Sequence, residues 1–217
     1  MTDTATHFDA GPFNRVKRCR YGNMLYSVHD KYIGRALDEY GEWAEDEMRL
    51  LSVLIKPGMA VVDVGANIGT HTVFFASAVG PEGSVVAIEP QRVVYQMLTA
   101  NVALNSLLNV VTLHAACGAE PGTLRVPAMR YDQSANFGAV RLSETANGES
   151  VTVISLDTIG IEVCNLLKLD VEGAELAVLR ARSAPFIPRS NAFRASRIAP
   201  LFRGTFALRA LHHACFA

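Results

Sequence analysis

Two glycines four residues apart, with a carboxylate just ahead of them, are the residues of this chain best suited to chemistry. They lie in Val61-Val62-Asp63-Val64-Gly65-Ala66-Asn67-Ile68-Gly69-Thr70. A β-branched run ending in Asp-x-Gly reads as a buried strand that enters a tight turn. Gly65 lets the backbone turn sharply and leaves no Cβ between the loop and a ligand. Gly69 opens a helix, whose first N–H groups attract negative charge. Glu89 ends a second apolar run, 26 residues after Asp63. A carboxylate there can accept both hydroxyls of a ribose, at close to the ~20-residue spacing of βαβ nucleotide folds. A third acidic group, Asp170-Val171-Glu172-Gly173-Ala174-Glu175, follows Leu166-Leu167-Lys168-Leu169.

A dinucleotide fingerprint is G-x-G-x-x-G, with a pyrophosphate resting on the helix. This loop is G-x-x-x-G, one glycine short, and it carries an acid at the strand end. S-adenosylmethionine suits it better, because that molecule has no phosphate but offers a carboxylate, an ammonium, a ribose diol and an adenine. Asp63 would serve the ammonium, directly or through water. Gly65, Ala66, Asn67, Gly69 and Thr70 would serve the carboxylate, with His71 in the next turn. Glu89 would take the ribose, and Cys117, after the third strand, would lie near the adenine. A nicotinamide-dependent oxidoreductase is the alternative.

Methyl transfer requires an acceptor held in line with the methyl group, and a proton sink if the acceptor is a hydroxyl. Asp170 is the first candidate for that base or for orienting the acceptor. Glu172 and Glu175 read as acids that favour a helix start. A divalent cation on the three acids is an alternative role but not the expected one. Lys168 would pair with an acid.

These residues need a scaffold that gathers them. Ala60–Val64, Ser84–Ile88, Val110–Leu113 and Leu166–Leu169 read as strands. Helices are expected over 42–55, over Thr70–Val79, on an apolar face from Val93 to Leu104, and over Glu172–Arg182. Alternation at these lengths implies right-handed crossovers and a parallel sheet with helices on both faces. Parallel strands bring their C-terminal ends to one edge, so Asp63, Glu89 and Asp170 converge. Residues 118–160 break the alternation, with short strands at Leu124–Val126, Gly138–Leu142 and Val151–Ile154, and read as an antiparallel insertion. Alternating Tyr21, Met24, Tyr26 and Val28 suggest a short strand or a hairpin ahead of the core.

The chain has 217 residues, 50% hydrophobic and 19% charged, which is enough for one domain with residues to spare. No apolar run reaches the roughly 20 residues needed to span a bilayer, and Met1 to Gly11 lacks the apolar stretch of a secretion signal. Cys19, Cys117, Cys164 and Cys215 form no C-x-x-C pair, which fits reduced thiols in a cytoplasm rather than a zinc site. All 21 acids lie at or before Glu175, whereas residues 176–217 carry seven arginines and no acid. Those arginines are spread among apolar residues, which argues against nucleic acid as the partner.

Taken together, Asp63-Val-Gly-Ala-Asn-Ile-Gly-Thr-His71, Ala87-Ile-Glu-Pro90, Ser155-Leu-Asp-Thr158 and Leu167-Lys-Leu-Asp-Val-Glu-Gly-Ala-Glu175 resemble the FkbM family of methyltransferases, over residues 40–182. The resemblance implies a Rossmann-like class I fold, α/β with a doubly wound, mostly parallel sheet. It implies methyl transfer from S-adenosylmethionine to a hydroxyl of a sugar, polyketide or other small natural product. It places Tyr40-Gly41-Glu42-Trp43 near the active site, which adds Glu42 to the catalytic candidates Asp170 and Glu172. It gives Asp157 a structural or substrate-side role and sets Asn136-Phe137-Gly138 along the acceptor pocket. The expected organisation is an extension over 1–41, a core over 42–182 and an atypical basic tail over 183–217. The tail has three prolines and none of the closing strands the family would show, as a frame shift or a truncation would leave it. A non-catalytic, truncated relative is therefore a further alternative.

Overall fold

The computed structural model describes residues 7–143 and 147–180, so the expected tail lies outside the described residues. The chain opens with strands β1 (His7–Asp9), β2 (Asn14–Cys19) and β3 (Gly22–Ser27), an antiparallel sheet in that order, and helix α1 (Ile33–Tyr40). The expected hairpin is β2–β3, closed across Cys19 and Gly22. Gly41, at φ 71°, caps α1 by donating its N–H to the Leu37 carbonyl.

Helix α2 (Glu45–Leu54) starts three residues later than its apolar spacing suggests, because Ala44 holds a left-handed φ of 52° that a helix cannot include. Its first turn carries Glu45, Asp46 and Glu47 against the positive end of the dipole. Next come β4 (Ala60–Val64), α3 (Thr70–Val79), β5 (Ser84–Ile88), α4 (Arg92–Leu104) and β6 (Val110–Leu113). After β7 (Ala116–Cys117), β8 (Gly122–Pro127) and β9 (Gly148–Ile154), a 3-10 turn (Leu156–Ile159) leads to β10 (Leu166–Leu169) and α5 (Glu175–Arg180).

The central sheet has the order β10-β4-β5-β6 and is parallel throughout. Its strands are short apolar runs because both faces are covered. On one face Val61 and Val85 pack with Met48 and Leu51 of α2 and Phe74, Phe75 and Val79 of α3, and Ala87 packs on Leu98 of α4. On the other face Val62, Val64 and Ile88 pack with Leu156 and with Val178 of α5. This is the Rossmann-like α/β arrangement, and the order reverses between β4 and β10, where a ligand crevice belongs.

The insertion differs in detail from its expected form. β8 and β9 are antiparallel, but β7 joins β9 in parallel, so the small sheet β7-β9-β8 is mixed. Gly138–Leu142 is not a strand, and pairing at that edge is one bridge between Arg125 and Ser143. Helix α5 begins at Glu175 rather than Glu172, since Glu172 (φ 47°) and Gly173 (φ 101°) turn the chain the wrong way for a helix. Among the described residues no helix is long and apolar enough to cross a membrane.

Candidate active site

Asp63, Glu89 and Asp170 stand at the C-terminal ends of β4, β5 and β10, on one edge of the sheet. Their environments separate them. Asp63 has no exposure at all and faces α3, where the Thr72 hydroxyl donates to its Oδ2 at 2.7 Å. Lys168 is its register partner on β10, and Lys168 Nζ lies 3.0 Å from Asp63 Oδ1. The same ammonium donates to the Gly65 carbonyl at 2.9 Å. Burial alone would lower the pKa of Lys168, but Asp63 and Asp170 more than offset it and hold the pKa above its ordinary value. Asp63 thus spends its charge inside the protein, fixing the strand end and the first carbonyl of the glycine turn.

Glu89 is also buried, at 3% exposure. Its Oε2 accepts the Asn67 N–H and its Oε1 accepts the Gln91 N–H, both at 2.9 Å. Burial pushes its carboxyl up to about 7 against the pull of those two amides. Asp170 is exposed. Its N–H donates to the Val64 carbonyl at 3.0 Å, which sets its backbone beside the glycine turn.

The turn itself is a tight weave. Gly65 and Ala66 donate to the Ile88 carbonyl at 2.9 and 3.0 Å, and Gly69 donates to the Ala66 carbonyl. Ile68 N–H is taken by Asn67 Oδ1 at 2.7 Å, with Asn67 at a positive φ of 52°. The amides of Gly65 to Gly69 are therefore used within the protein. Those of Thr70, His71 and Thr72, in the first turn of α3, have no acceptor within the helix, as at any helix start. Gly65 is required for a reason other than ligand space: at φ 75°, a Cβ would collide with the Asp170 carbonyl. At Gly69, φ 88°, a Cβ would come within 2.6 Å of Leu98 Cδ1.

The remaining candidates are placed as follows. His71 is buried, with Nε2 3.4 Å from Glu47 Oε2 of α2. Glu42 is ion-paired to Arg20 at 2.6 Å, and it borders a small crevice together with Trp43, Tyr21 and Thr70. The segment at 41–43 therefore lies against the start of α3. Cys117 is buried in β7, where desolvation lifts its thiol to about 12, so it is neutral and apolar. Glu172 is half-buried in the turn before α5, and Glu175 Oε1 accepts the Gly173 N–H at 3.2 Å. Asp157, in the 3-10 turn, is exposed. Among the described residues no three His, Cys, Asp or Glu side chains converge as a group for a metal ion.

Several polar residues escaped the sequence reading. Asn101 of α4 is fully buried; its Oδ1 accepts the Leu25 N–H at 2.6 Å and its Nδ2 donates to Leu25 O and Ile68 O at 3.0 and 2.7 Å. Asn105, one helical turn on, does the same for Asn23. Two asparagines four apart on the apolar side of a helix were the available signal. Gln91, buried just past Glu89, reaches Tyr131 and Phe137.

The sequence profile of the FkbM methyltransferase domain matches residues 63–198, running past Arg182, where the motif-level resemblance ends. A methyltransferase of Sordaria araneosa, sdnD, is 29% identical over 55% of this chain and 59% of its own length. Methyltransferase 1 of Beauveria bassiana is 28% identical over 55% of this chain and 57% of its own. The chain thus spans less than two thirds of the length of these relatives. A solved FkbM methyltransferase from Methylobacillus flagellatus is 18% identical, with a TM-score of 0.39, covering 63% of this chain and 36% of that one. Since the domain profile covers more than half of the sequence, including all three strand-end acids, this chain belongs to the FkbM methyltransferase family.

Proposed function

We propose that the chain binds S-adenosylmethionine and methylates a hydroxyl of a small acceptor such as a sugar or polyketide. The observation that supports this best is the Glu89 carboxylate at the end of β5, on the same sheet edge as the switch point and beside the glycine turn. Each of its oxygens accepts one backbone N–H and keeps acceptor capacity for one hydroxyl of a diol. The first-turn amides of α3 suit the ligand's carboxylate, and the neutral Cys117 offers an apolar wall for an adenine. When bound, S-adenosylmethionine supplies a methyl carbon activated by the sulfonium, and the carbon–sulfur electron pair leaves with sulfur.

The chain's own residues then position and deprotonate. Asp170, exposed beside Gly65, takes the proton of the acceptor hydroxyl as its oxygen bonds to the methyl carbon, or orients that hydroxyl. Glu172 adds negative charge next to it. Glu42, held by Arg20, serves as a wall near Thr70. The acids Glu42, Asp170, Glu172 and Glu175 repel a polyanionic acceptor, which favours a neutral small molecule over nucleic acid.

Calorimetry of the whole chain with S-adenosylhomocysteine tests the cofactor. The parent binds, and Glu89→Ala loses roughly 1–3 kcal/mol, the worth of charge-assisted hydrogen bonds. Equal binding by Glu89→Ala, or a preference for a nicotinamide dinucleotide, overturns the reading. Transfer of labelled methyl to a panel of hydroxylated small molecules tests the acceptor class.

A further inference from the structure

Gln91 joins the cofactor edge to the insertion. Its backbone N–H holds Glu89 Oε1, the oxygen next to the one that fixes Asn67. Its side chain runs the other way, with Nε2 donating to the Phe137 carbonyl at 2.8 Å and Oε1 accepting the Tyr131 hydroxyl at 3.2 Å. Gln91 is 5% exposed, so release of either partner leaves a buried amide group unsatisfied.

The other end of the segment Tyr131–Gly138 is clasped by the N-terminal unit. Lys31 N–H donates to Ala135 O and Ala135 N–H donates to His29 O, each at 3.0 Å. Gly138 sits against the glycine turn, where a Cβ would lie 3.3 Å from Asn67 Nδ2. The segment therefore borders the crevice and is held from both sides.

We infer that Gln91 is a positioning residue that couples an occupied cofactor crevice to the order of Tyr131–Gly138, so that cofactor binding prepares the acceptor side. The inference rests on the cofactor reading above. A ribose diol on Glu89 draws on the same two oxygens that hold Asn67 and Gln91. Fixing that carboxylate fixes the Gln91 backbone, and the buried amide passes the constraint to Phe137 and Tyr131. The coupling needs two linked sites and a segment with two degrees of order.

Amide hydrogen exchange of the full chain, with and without S-adenosylhomocysteine, is the test. In the parent the ligand slows exchange over 131–138 by about 10-fold, the scale of one or two hydrogen bonds. Gln91→Met keeps the side-chain length and the N–H on Glu89. It should bind the ligand within about 3-fold of the parent and lose the ligand-dependent slowing, which a purely structural role would leave unchanged. Tyr131→Phe removes one hydroxyl and should reduce the slowing to about 3-fold; it decides the matter if Gln91→Met does not fold. Full slowing in the variants, or none in a ligand-binding parent, overturns the coupling but leaves the cofactor reading standing. A parent that does not bind the ligand by calorimetry overturns both.

Discussion

Glu89 and Lys168 are buried charges held by opposite means, and each gives a test. Glu89 has only amide dipoles and a nearby ammonium, so burial lifts its carboxyl to about 7. In the unfolded chain a glutamate titrates near 4.3. Between those values the folded protein keeps a proton that the unfolded chain has lost. Stability should therefore fall as pH rises through this window, by about 4 kcal/mol in all. Thermal melts of the ligand-free chain between pH 5 and pH 8 should show that slope, and Glu89→Gln should flatten it. Affinity for S-adenosylmethionine runs the other way on the proposed reading, weakening below about pH 7 as the carboxylate that accepts the diol is protonated. Lys168 is instead held by a countercharge. Lys168→Met strands Asp63 at zero exposure, and breaking such a pair costs about 3–5 kcal/mol. The double variant Asp63→Leu with Lys168→Met should recover much of that in denaturant melts, whereas equal destabilisation would show that the lysine stem, not its charge, matters.

The strands and the glycine turn were legible at the level of elements because their signals are local. Ala60–Val64, Ser84–Ile88 and Leu166–Leu169 are short apolar runs that end at Gly or an acid, Val110–Leu113 is one between Asn109 and His114, and a local reading needs nothing more. The starts of α2 and α5 were not legible, since they depend on positive φ at Ala44 and Glu172, residues with no local preference for it. Asp63 was singled out from its position, but its partner atoms come from α3 and β10, and only the fold supplies them. The same holds for Gly65. Its need is set by the Asp170 carbonyl from the neighbouring strand's end, more than a hundred residues away in the chain. Gly65→Ala should therefore lower the melting temperature of the ligand-free protein, since methyl meets backbone in a packed β4–β10 edge and overpacking of this kind costs about 1–3 kcal/mol. Gly58, also at positive φ but with open space around its Cβ position, is the control, and Gly58→Ala should cost no more than about 1–2 kcal/mol. An unchanged melt for Gly65→Ala would show that the turn yields easily, and would return ligand space as the reason for the glycine.

At the scale of the whole molecule, residues 7–40 do the work of a core layer. Met24, Tyr26, Ile33 and Leu37 share one buried cluster with Ile68 and Val73 of the cofactor side, Val94 and Met97 of α4, and Phe137 of the insertion. The free edge of β3 is satisfied by side chains in place of a strand: Asn101 serves both backbone groups of Leu25, and Asn105 serves both of Asn23. Asn101 Nδ2 also holds the Ile68 carbonyl in the glycine turn, so the same side chain ties the unit to the turn. Removing residues 1–41 would expose that cluster and leave Asn101, at zero exposure in the intact chain, with one of its three partners. A chain beginning at Glu42 should thus bind a hydrophobic dye, melt without a cooperative transition and fail to bind S-adenosylhomocysteine. Asn101→Leu is the local counterpart. It fills the space but leaves the Leu25 N–H and two carbonyls unpaired, at about 1–3 kcal/mol for each buried group that water cannot reach. Asn105→Ala, whose surroundings are only partly buried, should cost less. A cooperative melt of the shortened chain close to that of the parent would show the N-terminal unit to be an appendage. The loss expected for Asn101→Leu would then have to come from the glycine turn alone, and calorimetry on that variant would show it as lost affinity with little lost stability.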